Sequence, residues 1–158
     1  MRSAYKFKSS AKPCNFFRES SGINYTKWNI SFFNIVALFA DDSNFSINKC
    51  YIGFENLFIE GKSRGKVCEL MLRLPEGEKD PIVVARVEFM HKRCGNMSKL
   101  YMLLKRIQKK FKLGPIIIES VSSEAMRNWC QKNGFTRIKT NDSPEEEMCR
   151  IANYIEPI

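Results

Sequence analysis

Arg86 to Leu100 is the stretch that most constrains this chain. Arg86-Val87-Glu88-Phe89-Met90 reads as an apolar strand, and His91-Lys92-Arg93-Cys94-Gly95 as a basic turn. Asn96-Met97-Ser98-Lys99-Leu100 then opens an amphipathic helix reaching Phe111. A strand, glycine turn and helix in that order aim the free N–H groups of the first helical turn at one point. The helix dipole makes the same point electropositive, so it suits a phosphate. Lys92 and Arg93 add charge beside it. Alone, the pattern is equally that of an ordinary strand-to-helix connection, because short motifs of this kind are weakly specific.

The flanking sequence supplies a frame. Upstream, Tyr51–Ile59, Val67–Leu74 and Ile82–Met90 read as three strands, with Gly61-Lys62-Ser63-Arg64-Gly65 and Pro75–Pro81 as the loops between them. Short loops between successive strands predict an antiparallel meander. Downstream, Met97, Leu100, Tyr101, Leu104, Ile107 and Phe111 recur at helical spacing, with Lys99, Arg106, Lys109 and Lys110 on the other side. Gly114-Pro115 stops that helix. Ile116–Val121 is a short buried strand, parallel to its predecessor through a right-handed crossover. Ser122-Ser123-Glu124 starts a second helix, and Gly134 ends it, letting Phe135 fold back over the last turn. Thr136–Lys139 and Met148–Ile155 supply two final strands across the acidic loop Asn141–Glu147. Asn29–Ala40 is a first strand or a buried helix, and Asp41-Asp42-Ser43-Asn44 a turn.

A chain of 158 residues is expected to form a single domain, residues 1–158, with 1–45 a basic amino-terminal extension of unassigned structure. Phe16, Phe17 and Trp28 argue that this extension packs against something. The net charge is +9. Residues 91–114 hold eight Lys/Arg and no acid, whereas the tail from Asn141 is acidic, with Asp142, Glu145, Glu146, Glu147 and Glu156 against Arg150. Such a surface attracts nucleic acid, phosphorylated cofactors or acidic partners without choosing between them. The cysteines lie far apart, no CxxC occurs and His91 is the sole histidine, so no zinc site is expected. No secretion signal is evident, and Ser31 and Asn34 interrupt the apolar stretch Ile30–Ala40. Free thiols and a soluble, cytoplasmic protein without a membrane partner are therefore expected.

The order meander, strand, glycine turn, helix, strand, helix, Gly-Phe, two strands resembles the GCN5-related N-acetyltransferase (GNAT) family over Tyr51 to Ile155. Lys92-Arg93-Cys94-Gly95-Asn96-Met97 is similar to the family's pyrophosphate loop, Gln/Arg-x-x-Gly-x-Gly/Ala. Lys92 stands at the Gln/Arg position, Gly95 at the first glycine, and Met97 replaces the second small residue. The anion cradle survives that departure if the Met97 side chain turns into the core. Met126 to Phe135 is similar to the family's Asn-x-x-Ala-x-x-Leu-Tyr-x-x-x-Gly-Phe segment. Ser123 falls at the asparagine, Trp129 at the leucine, and Cys130 at the tyrosine that often acts as general acid.

The resemblance implies an α/β (α+β) fold with a mixed sheet of about six to seven strands, an antiparallel amino-terminal meander, a parallel central pair and flanking helices. It also implies acyl transfer from acetyl-CoA, or another acyl-CoA, to a primary amine in a ternary complex. Phe89, Met90, His91, Lys92, Arg93, Cys94, Gly95, Asn96, Met97, Ser98, Ser123 and Trp129 would then line the cofactor, with amides near Phe89 and Met90 polarising the thioester carbonyl. Cys130 would return a proton to the leaving sulfur, and Glu88 or Glu119 would take one from the amine. Each residue has a plainer role open to it: Cys130 as core, the glutamates as paired strand-face carboxylates, His91 as loop. The alternative is a basic nucleic-acid- or protein-binding module that keeps the fold without catalysis. The acceptor amine, small molecule or protein, and the oligomeric state, a dimer included, are left open.

Overall fold

The structure, a computed structural model, describes residues 26–53, 56–138 and 152–157. Its elements are α1 (Thr26–Asp42), β1 (Ile47–Gly53), β2 (Asn56–Ser63), β3 (Lys66–Arg73), β4 (Ile82–Glu88), α2 (Asn96–Phe111), β5 (Ile116–Val121), α3 (Glu124–Lys132), β6 (Thr136–Arg137) and β7 (Ala152–Ile155). The expected packing of Phe16 and Phe17, the Trp28 side chain and the acidic loop Asn141–Glu147 lie outside the described residues.

The strands form one seven-stranded sheet in the order β1-β2-β3-β4-β5-β7-β6. β1 to β4 are an antiparallel meander, β4 and β5 run parallel, and β7 is antiparallel to both β5 and β6. This is the mixed sheet with a parallel central pair that the GNAT resemblance implies. The strand expected over Tyr51–Ile59 is instead the end of β1 and the start of β2, which reverse between the paired residues Gly53 and Asn56. The loop expected at Gly61–Gly65 is tighter. Gly61 lies within β2, and the turn is Arg64 and Gly65, both left-handed at φ 49° and 75°, as a two-residue hairpin requires.

Register sorts the sheet into two faces. Directly opposed residues Leu57–Leu72–Val84–Ile118–Tyr154 and Cys50–Ile59–Leu70–Val87 line one face. With α1, α2 and α3 they form one apolar core. α1 resolves the choice at Asn29–Ala40 in favour of helix, because Phe32, Ile35 and Phe39 at helical spacing bury one stripe against β1, β2, β3 and α2. Among the described residues no helix is long and apolar enough to cross a membrane.

On the opposite face one row is charged, Lys49–Glu60–Glu69–Glu88, and the other passes from Arg73 to apolar Val83, Ile117 and Ile155. Three neighbouring glutamates in a row repel. Lys49 and Lys62 flank Glu60 at 3.5 and 3.4 Å, Arg86 meets Glu69 at 2.9 Å, and Lys92 meets Glu88 at 3.3 Å, which offsets the repulsion.

Helix ends follow local chemistry. Ser123 caps α3 by accepting the Met126 N–H at 3.3 Å. Gly134 turns left-handed at φ 77°, and Phe135 donates its N–H back to Cys130 O at 2.9 Å, as expected. α2 ends differently from the sequence expectation. Lys112, at φ 54°, makes the left-handed turn, and Leu113 N–H donates to Gln108 O. Gly114 serves a close approach instead: a Cβ there would lie 2.1 Å from Lys79 O.

Candidate functional site

The parallel ladder between β4 and β5 is short. It runs Ile82–Ile116, Val83–Ile117, Val84–Ile118 and then stops, although both strands continue. The reason lies on the other edge of β4. Leu72 opposes Val84 and Met71 opposes Arg86, so Ala85 is an extra residue, a β-bulge. A bulge bends and twists its strand, and bulges often sit beside active sites. β5 carries its own irregularity just past the same level. Ile118 opposes Tyr154 and Val121 opposes Ala152, with Ser120 at φ 54° donating its N–H to Asn153 Oδ1 at 2.9 Å. The two central strands therefore part beyond Val84 and Ile118.

β4 leads from that split into the basic turn. Lys92, Arg93, Cys94 and Gly95 are exposed, with Arg93 and Gly95 left-handed at φ 64° and 74°. Gly95 precedes α2 with no side-chain cap, and the first turn of α2 carries no acid. Among the described residues, a Cβ at Gly95 would meet nothing within 4 Å, so they leave the space before the helix open. Met97 is buried in the core, which keeps its side chain out of that space. The condition that its departure from the glycine pattern set is met.

The turn is held from below by a residue the sequence reading placed only in a turn. Asp42, the last residue of α1, has a side chain with no solvent exposure. Its carboxylate accepts the backbone N–H groups of Met90 at 2.5 Å and His91 at 3.0 Å, and the Asn96 side-chain amide at 2.9 Å. His91 Nδ1 lies 3.2 Å from the same carboxylate. A buried carboxylate is tolerable only when its lone pairs are filled, and here they are.

Several expected site residues change role. The Met90 N–H is committed to Asp42 and cannot polarise a carbonyl. Phe89 is buried and stacks on Phe39 of α1, with centroids 4.8 Å apart. The solvent-facing part of the loop is thus Lys92 to Gly95 with Ser98, while Phe89 and Met90 at its entrance are buried. Cys130 is fully buried, and burial pushes its thiol up to about 11. This is the setting of a core side chain, the plainer of the two roles open to it. The Ser123 hydroxyl is engaged in capping α3. Trp129 donates its indole N–H to Ser98 Oγ at 3.0 Å and packs edge-on against Tyr101, tying α3 to the start of α2.

The two candidate bases both project from the face opposite α1, α2 and α3, on either side of the split. Glu119 lies one residue beyond the last parallel pair and accepts from Arg73 at 2.7 Å. Glu88 lies at the end of β4, half exposed, beside Lys92.

Glu156, read from the sequence as part of an acidic tail, is instead buried behind α2. It accepts from Tyr101 Oη at 3.1 Å, Lys105 Nζ at 3.0 Å, Ile116 N at 2.9 Å and the Gln108 side-chain amide. Burial and the neighbouring carboxylate push the Tyr101 phenol up to about 12.

No family model and no curated protein matches this chain. Among solved structures, it is similar to a GNAT family acetyltransferase from Elizabethkingia anophelis with acetyl-CoA bound. That likeness has 12% identity and a TM-score of 0.47, over 66% of this chain and 77% of the other.

Proposed function

We propose that the chain is an acyl-CoA-dependent N-acyltransferase, with acetyl-CoA the simplest donor and a primary amine the acceptor. One observation carries the reading: the central strands part at Val84 and Ile118, and β4 then runs directly into an uncapped, unobstructed helix start. The residues present fit a diphosphate. Among the described residues no side chain caps the first turn of α2, no acid lies in that turn, and Lys92 and Arg93 stand alongside.

When bound, an acyl-CoA supplies an acyl group activated as a thioester. The α2 amides, with Lys92 and Arg93, would hold its phosphates, and the split between β4 and β5 would accept its extended arm. Glu119 and Glu88 face the side of the sheet opposite α1, α2 and α3, and the amine approaches from there. Glu119, nearer the split, accepts its proton directly or through water. Solvent returns a proton to the departing thiolate. Positioning of amine against thioester contributes much of the rate.

The test is mass spectrometry of an amine panel incubated with acetyl-CoA and the full chain. The expected result is a singly acetylated product. Glu119→Gln should lower kcat by roughly 10²–10⁴-fold, the usual worth of a general base, while Glu88→Gln stays near the native rate. Absence of product across small-molecule and peptide amines contradicts the reading.

A further inference from the structure

The outer face of α2 is not used by the site above. At 100° per residue, Lys99, Met102, Arg106, Lys109 and Lys110 fall within an arc of about 100°, opposite the buried stripe of Met97, Leu100, Leu104 and Ile107. All five are exposed, Met102 at 56%. The helix contains no acid. Among the described residues its one ion pair joins Lys105 to Glu156. Lys99, Arg106, Lys109 and Lys110 have no carboxylate partner there. Lys110 instead lies over the Phe111 ring, 5.0 Å from its centroid.

We propose that this face is a docking track for the phosphate backbone of a nucleic acid duplex. Its composition separates the candidate partners. A protein partner or a membrane wants an apolar centre to bury, and Met102 is the only large apolar side chain on the arc. Nucleic-acid interfaces are polar and strongly positive, which is what the face presents. Lys99 to Lys110 span ~16 Å of helix, a length over which a duplex offers on the order of nine phosphates. Cations held on a rigid helix neutralise phosphates without ordering a loop first. The contacts are to backbone, so binding is indifferent to sequence.

The test uses the full chain and a labelled DNA duplex of mixed sequence, followed by fluorescence anisotropy across a salt series. No cofactor enters the assay, so its outcome is independent of the acyltransferase reading. Four neutralised phosphates give a slope of about −3 to −4 for log K against log salt. A variant carrying Lys99→Gln, Arg106→Gln, Lys109→Gln and Lys110→Gln keeps helix propensity. It should flatten the slope by about 3 and weaken binding at least tenfold at 0.1 M salt, on the order expected for lost phosphate contacts. A control with Arg64→Gln, Lys66→Gln, Lys132→Gln and Arg137→Gln removes the same charge elsewhere, and should stay within roughly threefold of native because those residues touch no phosphate. Circular dichroism checks that both variants fold. The proposal is overturned if the native chain does not bind the duplex in dilute salt, or if the control loses as much as the track variant. It is equally overturned if a polyglutamate peptide or phosphatidylserine vesicles bind the same four residues more tightly than DNA.

Discussion

The carboxylate of Asp42, which ends α1, accepts the side-chain amide of Asn96, which begins α2, at 2.9 Å. Met90 and His91 donate their backbone N–H groups to the same carboxylate, so one buried side chain fixes two helix ends and the exit of β4. Asp42→Ala would strand those donors in a dry site and should destabilise the fold by about 2–4 kcal/mol. Asp42→Asn should lose roughly 1–3 kcal/mol, because its NH2 turns a donor toward donors. Urea unfolding at neutral pH measures both. Acyl-CoA should also stabilise Asp42→Asn less than it stabilises the native chain, since the turn it binds is no longer pinned.

Glu156 plays the corresponding part at the carboxyl-terminal end. Replacing it by Gln swaps an acceptor oxygen for a donor amide among Tyr101, Lys105, Gln108 and Ile116. The expected loss is about 2–4 kcal/mol, as for other buried ion pairs broken on one side. Lys105→Met, which removes the half-exposed partner, should cost less. The difference between their urea midpoints is the readout, and equal losses would contradict the central role of the carboxylate.

Cys130 should prove structural. Burial raises its thiol from an ordinary value near 9 to about 11. Between those values the unfolded chain ionises the thiol while the folded chain keeps it protonated. Folded protein therefore holds more protons, and stability declines as pH rises across that window. Tyr101, pushed up to about 12, adds to the decline in the same direction from about pH 10 upward. Cys130→Ala should flatten the Cys130 part of the alkaline slope and leave kcat within a few-fold of native. A large drop in kcat with an unchanged pH profile would restore a catalytic role.

What the sequence made legible was whatever is encoded locally. The α2 stripe from Met97 to Phe111, the Ser123 cap and the Gly134–Phe135 reversal are periodicity and capping, which need no tertiary partner to be recognised. The boundary between β1 and β2 was missed because no Asn-Gly or Gly-rich pair marks the reversal between Gly53 and Asn56, and apolar alternation continues through it. α1 was ambiguous because its aromatic and β-branched residues suit either element. Asp42 and Glu156 were beyond local reading. Each looked like a solvated acid, and their partners lie 48 and 40 or more residues away in sequence for the bonds to Met90 and Ile116. The burial of Cys130 was out of local reach for a similar reason, since helical position alone does not say which face the core seals.

The most direct test of the central claim is thermal unfolding of the full chain titrated with CoA, beside Gly95→Glu. The open space at Gly95 accepts the new side chain, whose left-handed φ of 74° costs of order 1–2 kcal/mol, and its carboxylate then occupies the anion site. The expected result is a native stabilisation approaching ~2.7 kcal/mol at a hundred times Kd, with none in the folded variant. A native chain whose unfolding temperature does not move at millimolar CoA would contradict it.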